Sequence, residues 1–305
     1  MNILFASEKE RPDFWFPLLQ KALPQDRFHA WPDTNGGDID LALVATHPQG
    51  TFAGLKKLKL IQSLWMGVEN IVADPDLPKG VPVASLIDPV MVSAMGETVL
   101  AYVLDWHRHF YLYRRWQQEK QWKRRRQYLA SDRTIGILGL GELGASVAAR
   151  LLGMGFNVAG WSRRPKSLPG VHCTTDLDAL LAMSDAIVCL LPLTAHTRGI
   201  LGAKAFARMR AHGCVINVAR GGHVVSADLL AALDSGHLAH AYLDVFETEP
   251  LPADSPLWTH PGVTVTPHIA ALSEPRTSVG RIAENVECVR RGELPKNLVD
   301  FAAGY

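Results

Sequence analysis

Three polar side chains of complementary chemistry, Arg220, Glu249 and His268, each follow a strand-like apolar run in the second half of the chain. A guanidinium binds a carboxylate through paired N–H groups, and an imidazole transfers protons near neutral pH. A carboxylate beside that imidazole would orient it and stabilise its protonated form. Brought together, the three side chains would suit the reduction of a 2-oxo acid.

Each of the three also has a purely structural interpretation. Arg220 could pair with a surface acid, Glu249 could be an exposed turn residue, and His268 could be a helix-capping or buried histidine. Spacing along the chain leaves both interpretations open.

A glycine-rich turn, Gly139-Leu140-Gly141-Glu142-Leu143-Gly144, fits the pattern G-x-G-x-x-G. It follows the strand-like run "TIGIL" and opens the helical stretch "GELGASVAARLLGMG". In this context the first glycine permits a tight turn, the second lets the backbone approach a pyrophosphate, and the third allows close helix–strand packing. The N–H groups at the start of the helix would bind the anion. The motif therefore predicts a dinucleotide site.

The next strand-like run, "NVAGW", ends where an acidic residue usually binds the adenosine ribose. Ser162, Arg163 and Arg164 stand there instead, and no acid occurs before Asp176. A hydroxyl and two guanidinium groups would bind a 2′-phosphate, so the sequence favours NADP(H) over NAD(H), which remains possible. The alternative is that the two arginines are solvated surface charges.

The bulk composition indicates an ordinary globular protein. The 305 residues carry a formal net charge of +1, which argues against a nucleic-acid surface. Four scattered cysteines show no metal-binding spacing and predict reduced thiols, three of them in or beside apolar runs. Neither a signal peptide nor a run of 18 apolar residues is present, so we expect a soluble, cytoplasmic protein without a metal or membrane partner.

Two series of short apolar runs alternate with amphipathic stretches and predict an α/β fold of two doubly wound parallel-sheet domains. The first series is "NILFAS", "FHAW", "LALVAT", "LKLIQSL" and "VPVASL". The second is "TIGIL", "NVAGW", "AIVCLL", "CVINVA", "AYLDVF" and "VTVTP". Between them we predict one long helix over about 90–113 and a polar, basic linker after it.

The stretch from Asn217 to His268 resembles the C-terminal half of the D-2-hydroxyacid dehydrogenase family almost without interruption. "LLPLTAHTRGIL" is similar to the nucleotide-contacting loop of that family, and "SLWMGVENI" to its substrate-carboxylate loop. Likeness to the family covers essentially the whole chain, including the closing "GY".

This resemblance implies roles for individual residues. Arg220, Glu249 and His268 would be catalytic, and Arg220 and His268 would also bind substrate together with the backbone N–H groups of Met66 and Gly67. Asp244 would hold the nicotinamide carboxamide. The remaining cofactor contacts would come from the glycine turn, the loop over the cofactor and the strand end before Arg220: Gly139, Gly141, Glu142, Leu143, Gly144, Ser162, Arg163, Arg164, Leu191, Pro192, Thr197, Val218 and Ala219.

The family also implies a domain organisation. Residues 1–97 and 270–305 would form a discontinuous, flavodoxin-like substrate domain, and residues 98–269 a Rossmann cofactor domain, with the active cleft between them. The region from about 100 to 130 matches the part through which the family dimerises, so the resemblance implies a homodimer.

Two features depart from the family pattern. Trp65 and Met66 replace the small residues usual in the carboxylate loop, and this bulk either narrows the pocket or packs into the core at a strand end. The tract Lys123-Arg124-Arg125-Arg126 is either a solvated basic turn or a field that attracts an acidic substrate.

The resemblance implies an NADPH-dependent reductase of small 2-oxo acids, converting glyoxylate to glycolate and hydroxypyruvate to D-glycerate. The sequence leaves two alternatives open. One is a dehydrogenase that takes a larger 2-hydroxy acid or uses NAD(H). The other is a dinucleotide-sensing binding protein like the transcriptional corepressors of the same family.

Overall fold

The computed structural model describes residues 1–301, and the chain divides into two compact units. The first comprises Met1–Met91 and Leu272–Tyr305, of which 302–305, including the closing "GY", lie outside the described residues. The second comprises Val92–Ala271.

The strands are β1 Asn2–Ser7, β2 Arg27–Ala30, β3 Leu41–Ala45, β4 Leu60–Ser63, β5 Val83–Ala84, β6 Thr134–Leu138, β7 Asn157–Trp161, β8 Val171–Thr174, β9 Ala186–Cys189, β10 Gly213–Asn217, β11 Leu238–Leu243 and β12 Val263–Val265. The α-helices are α1 Pro12–Ala22, α2 Glu69–Val72, α3 Pro89–His107, α4 Phe110–Gln118, α5 Glu142–Gly153, α6 Leu177–Met183, α7 Ala203–Arg208, α8 Ser226–Asp234 and α9 Pro275–Arg290.

The first unit is built on a parallel sheet of order β2-β1-β3-β4-β5. This is the flavodoxin-like order, in which the chain winds first to one side of β1 and then to the other. Strands β3 and β4 are buried along their whole length because apolar layers cover both faces of the sheet. One layer includes Trp15 and Leu19 of α1 with Ile282 and Val286 of α9.

The second unit contains a seven-stranded parallel sheet of order β12-β11-β10-β9-β6-β7-β8. Its strand order reverses beside β6, as in the Rossmann fold, and the crevice at such a reversal is where α/β sheets bind ligands. Helix α5 packs Val147 and Leu151 on one face of the sheet, and α7 and α8 pack Phe206 and Leu229 on the other. The predicted fold class, with a flavodoxin-like and a Rossmann sheet, is confirmed.

Three details of the predicted secondary structure are wrong. The single helix expected over 90–113 is divided into α3 and α4, because His109 adopts a left-handed backbone conformation with φ of 61° that ends the run of helical hydrogen bonds. Strand β8 was not predicted, since "VHCT" is a short, half-exposed edge strand without an apolar signature. Part of the predicted linker, Arg114–Gln118, is helical.

Within residues 1–301 no helix is long and apolar enough to cross a membrane. All four cysteines are free thiols, and burial raises the pKa of Cys189 to about 12. Cys189 and Cys214 are buried, whereas Cys173 and Cys288 are only partly so.

Candidate active site

The structure joins two of the predicted catalytic residues in a hydrogen bond. His268 Nδ1 lies 2.7 Å from Glu249 Oε2, and the other carboxylate oxygen, Oε1, accepts the N–H of Phe246 at 2.9 Å. The carboxylate is thus fixed by its own loop and in turn fixes the imidazole. Both side chains are partly open to solvent, with 47% of His268 and 34% of Glu249 exposed. Because Nδ1 faces Glu249, Nε2 is the nitrogen available for a proton transfer.

Asp244 holds the segment that carries His268. It is fully buried just after β11, and its Oδ1 accepts the N–H of Ile269 and the hydroxyl of Thr266, while Oδ2 accepts the N–H of Ala270. Its carbonyl oxygen accepts the N–H of His268 itself at 2.8 Å. These bonds keep His268 at a φ of 55°, in the left-handed region that a non-glycine residue seldom adopts.

The hydrogen bonds of Asp244 define what it does in this structure: it organises residues 266–270. The nicotinamide contact that the resemblance implies for Asp244 stays a prediction. Thr266, in turn, is contacted from α3, because Tyr102 Oη lies 2.6 Å from its hydroxyl oxygen.

Arg220 follows β10 on a loop shaped by a buried asparagine. Asn217 donates its side-chain N–H to the carbonyl of Arg220 and accepts the N–H of Ala219. The Arg220 guanidinium donates to the carbonyl of Ala219 at 2.6 Å. Val218 and Ala219, both predicted to contact the cofactor, are buried in this loop.

The glycines after Arg220 allow its loop to touch the loop of Glu249. A Cβ atom added at Gly221 would lie 1.9 Å from the carbonyl carbon of Phe246, the residue whose N–H binds Glu249. No side chain fits at that distance, so the sequence "RGG" brings the loops after β10 and β11 into direct contact.

The loop that contains Leu191, Pro192 and Thr197 folds around the buried hydroxyl group of Thr197. Thr197 Oγ1 donates to the carbonyl of Pro192 at 2.7 Å and accepts the N–H of Thr194 at 2.8 Å. The ring of His223 lies within hydrogen-bonding distance of the carbonyls of both Pro192 and Arg220. This histidine therefore links the predicted cofactor loop to the loop of Arg220.

The glycine turn has the geometry that a pyrophosphate site requires. Gly139 has a φ of 100°, and a Cβ at Gly144 would lie 1.9 Å from the carbonyl oxygen of Gly139, so both positions exclude other residues. A Cβ at Gly141 would point into open space, and no side chain caps the N-terminus of α5. The N–H groups at this end of the helix are the ones that would donate hydrogen bonds to a pyrophosphate. Glu142 is exposed and Leu143 partly buried in the first turn of α5.

The residues after β7 form an exposed basic turn. Arg163 and Arg164 are exposed, and Ser162 donates its hydroxyl to the carbonyl of Arg164 at 2.7 Å. The first acid beyond them, Asp176, accepts the N–H of Ala179 and caps α6. That carboxylate has a structural task, which agrees with a ribose site that uses cations instead of an acid.

Three residues that sequence reasoning missed support these loops: Asn217, Tyr102 and Lys166. Lys166 donates its Nζ to the carbonyl of Leu140 at 2.7 Å, which ties the basic turn to the glycine turn. The sequence signal for Lys166 was its position in the run of basic residues that begins at Arg163. The signal for Asn217 was a polar residue at the end of an apolar strand. For Tyr102 the sequence offered none.

Met66 and Gly67 lie in a loop at the carboxyl end of β4, in the first unit. Trp65 and Met66 pack against the apolar layer below α1 and α9, so the core-packing interpretation of Trp65 fits its surroundings.

The tract Lys123–Arg126 is exposed and without regular secondary structure, as a solvated basic turn would be. The tract has aromatic contacts: Lys123 lies over Trp116 and Arg126 over Tyr128.

Comparison with known proteins agrees with this arrangement. Residues 100–270 match the family described as D-isomer specific 2-hydroxyacid dehydrogenase, NAD binding domain. The chain is 40% identical to glyoxylate/hydroxypyruvate reductase A of Serratia proteamaculans, with both chains covered completely.

Solved structures agree in fold as well. A D-isomer specific 2-hydroxyacid dehydrogenase from Xanthobacter autotrophicus, in complex with NADPH and MES, is 42% identical with a TM-score of 0.95, over 100% of this chain and 99% of that one. The NADPH-dependent glyoxylate/hydroxypyruvate reductase of Sinorhizobium meliloti, with NADP and sulfate, is 35% identical with a TM-score of 0.92, over the same shares. The chain belongs to the D-isomer specific 2-hydroxyacid dehydrogenase family, whose members are NAD(P)-dependent oxidoreductases.

Proposed function

We propose that this enzyme reduces small 2-oxo acids with NADPH, converting glyoxylate to glycolate and hydroxypyruvate to D-glycerate. The observation that carries the proposal is the hydrogen bond of 2.7 Å between His268 Nδ1 and Glu249 Oε2, which prepares a proton donor beside the loop of Arg220. The names of the relatives from Serratia and Sinorhizobium support this choice of substrates.

His268 is the proposed proton donor. Protonated, it keeps one N–H on Glu249 and presents the other, on Nε2, to the carbonyl oxygen of the substrate. The Glu249 carboxylate stabilises the imidazolium before the transfer and keeps the ring aligned after it. Transfer of this proton gives the hydroxyl group of the product.

Arg220 is proposed to bind the substrate carboxylate and to stabilise the negative charge that develops on the carbonyl oxygen. The loop of Met66 and Gly67 would add backbone N–H groups to the same carboxylate. Both contributions leave the acid oriented with its carbonyl carbon open to attack from one side.

The cofactor is proposed to bind with its pyrophosphate at Gly139–Gly144 and its 2′-phosphate at Ser162, Arg163 and Arg164. Bound NADPH supplies the hydride that reduces the carbonyl carbon. NAD(H) lacks the 2′-phosphate that the two guanidinium groups would bind, so the turn after β7 sets the preference for NADPH over NADH. The NADPH and NADP found in related structures support this assignment.

Steady-state oxidation of NADPH and NADH, side by side, with glyoxylate and hydroxypyruvate tests the proposal. We expect turnover of both acids with NADPH and a kcat/KM at least 10-fold lower with NADH. Turnover only of 2-oxo acids with larger side chains would overturn the substrate assignment, and equal use of NADH would overturn the cofactor assignment.

We also propose that the protein is a cytoplasmic homodimer. Residues 110–129 expose three large apolar side chains, Phe110, Trp122 and Leu129, of which Trp122 is 94% exposed, and a second copy would cover them. The four free thiols suit a reducing compartment. Light scattering after size exclusion tests the assembly: a mass near 67 kDa, twice the 33.5 kDa of the chain, is expected, and a mass of one chain would refute it.

A further inference from the structure

Glu10 binds two tryptophan side chains in the first unit. Its Oε1 accepts the indole N–H of Trp65 at 2.7 Å, and its Oε2 accepts the indole N–H of Trp15 at 3.0 Å. Trp15 is a fully buried residue of α1, whereas Trp65 belongs to the loop that precedes Met66 and Gly67. One carboxylate therefore ties the loop after β4 to the core of the unit.

The backbone segment that carries Glu10 is held in place by hydrogen bonds. Glu10 lies between β1 and α1, and its N–H binds the hydroxyl oxygen of Ser7, the last residue of β1, at 2.8 Å. Two residues earlier, the N–H of Glu8 donates to the carbonyl of Thr46, just beyond β3. Glu10 thus stands at the carboxyl edge of the same sheet whose strand β4 carries the Trp65 loop.

The backbone of the Trp65 loop is also held by its neighbours. Ser63 Oγ accepts the N–H of Trp65 at 3.0 Å and lies 3.4 Å from the carbonyl of Gly67. The carbonyl of Trp65 accepts the N–H of Leu86, and that of Leu64 accepts the hydroxyl of Ser273. Among the hydrogen bonds of residues 1–301, none is donated by the N–H of Met66 or Gly67. The loop is therefore clamped on both sides of two N–H groups that remain available to a ligand.

We propose that Glu10 is a positioning residue for substrate binding, acting through the indole of Trp65 to hold the N–H groups of Met66 and Gly67 towards the substrate carboxylate. A charged acceptor makes this bond stronger than a neutral one would be, and the bond from the N–H of Glu10 to Ser7 Oγ keeps the carboxylate at the edge of the sheet. The inference rests on the proposed function, because it takes a 2-oxo acid as the ligand of the loop.

A matched pair of variants separates positioning from stability. Trp65→Phe and Trp15→Phe each remove one indole N–H from Glu10 and leave an aromatic ring in the apolar layer, but only Trp65→Phe releases the loop. We expect Trp65→Phe to raise KM for glyoxylate about 10-fold with kcat within about twofold of wild type, since a carboxylate contact serves ground and transition states alike. Trp15→Phe should leave KM within about twofold even if it lowers the melting temperature.

A third variant tests whether Glu10 transmits the effect. In a Glu10→Ala background, Trp65→Phe should change KM by less than about twofold, because the bond that it breaks is already absent. An unchanged KM in Trp65→Phe, an equal rise in Trp15→Phe, or a full 10-fold effect in the Glu10→Ala background would each overturn the proposal.

Binding of oxalate, a small dicarboxylate that resembles the substrate and is not reduced, distinguishes this inference from the proposed function. Titration calorimetry on NADP-saturated protein should show about 10-fold weaker oxalate binding in Trp65→Phe than in wild type and Trp15→Phe. If that difference appears while the wild type reduces neither acid, the substrate assignment fails and the role of Glu10 stands. If wild type and both variants bind oxalate equally, or none binds it, the role of Glu10 is refuted whatever the turnover.

Discussion

At the scale of the residue, the two nitrogens of His268 have different tasks. Nδ1 is committed to Glu249, whose second oxygen is fixed by the N–H of Phe246, so the imidazole cannot turn without breaking a hydrogen bond of 2.7 Å. This leaves Nε2 as the only ring nitrogen for the substrate. The orientation of the ring is a property of the pair and not of the histidine alone.

Glu249→Gln removes the negative charge and one of the two oxygen acceptors, so that the amide nitrogen must face either the N–H of Phe246 or Nδ1 of His268. The amide stabilises an imidazolium less than the carboxylate does, so we expect kcat with glyoxylate to fall about 10²-fold while the Kd of NADPH stays within about twofold. Steady-state kinetics and a fluorescence titration with NADPH measure the two quantities. An unchanged kcat would show that the charge of Glu249 takes no part.

The exposed arginines after β7 make a second prediction at this scale. Replacing both Arg163 and Arg164 by alanine should raise KM for NADPH about 10- to 100-fold and leave KM for NADH nearly unchanged, since only NADPH carries the 2′-phosphate. The matched control is Arg208→Ala, an exposed arginine of α7. A parallel rise for both cofactors would mean that the arginines support the turn instead of reading the phosphate.

At the scale of the element, the part of the proposed site that lies in the second unit consists of loops that follow strands β6, β7, β9, β10, β11 and β12. Asp244 is the clearest case of a residue that holds such a loop, because its carboxylate and carbonyl together bind Thr266, His268, Ile269 and Ala270.

Asp244→Asn should place an amide N–H against the N–H of Ala270. We expect a loss of about 1–3 kcal/mol in the free energy of unfolding, together with a lower kcat. Urea unfolding and steady-state kinetics check both, and a stable variant with full kcat would contradict this role.

The glycine turn gives a second element-scale prediction. Gly144→Ala places a methyl group 1.9 Å from the carbonyl oxygen of Gly139, so the turn must shift and the Kd of NADPH should rise at least 10-fold. Gly153→Ala, at the other end of α5, is the control, since its methyl group meets nothing within 4 Å. Equal affinities in the two variants would contradict the assigned role of the turn.

The sequence predicted central strands such as β9 and β10 because their apolar runs are buried on both faces, as is typical of parallel strands. It predicted the turn at Gly139–Gly144 from the spacing of its glycines, two of which, Gly139 and Gly144, stand where the structure has no room for a side chain. It did not predict the break at His109 or strand β8, since a single left-handed residue and a half-exposed edge strand leave no periodic signal. The contacts of Tyr102 with Thr266 and of Glu10 with Trp65 join residues 164 and 55 positions apart, which no local pattern encodes.

At the scale of the whole molecule, buried polar groups make stability depend on pH. His240 lies between the rings of Tyr111 and Tyr242, and its Nδ1 is buried without a hydrogen-bond partner in the described residues. Burial lowers the pKa of His240 to about 4, although the nearby Asp105 carboxylate opposes the shift. The folded protein therefore keeps this imidazole neutral in a range where the unfolded chain, with a pKa near 6.5, protonates it.

Linkage sets the sign of this effect. Because the unfolded chain binds more protons between pH 6.5 and 4, the contribution of His240 to stability is fully present above pH 6.5 and is lost as the pH falls through that window. Over the window the loss amounts to about 3 kcal/mol. His240→Gln should reduce the pH dependence of the free energy of unfolding by about that amount. Urea titrations at several pH values measure it. His172→Gln, an exposed histidine of β8, should leave the slope as in wild type, and an unchanged slope in His240→Gln would refute the prediction.

The central claim is that His268 supplies the proton for the reduction of a small 2-oxo acid by NADPH. The most direct measurement is the rate of NADPH oxidation by glyoxylate in a single turnover of His268→Ala, beside the Kd of NADPH for the same variant. We predict a rate about 10²- to 10⁴-fold below wild type with Kd within about twofold, because the histidine acts in the transition state and not in cofactor binding. A rate near that of wild type would contradict the claim.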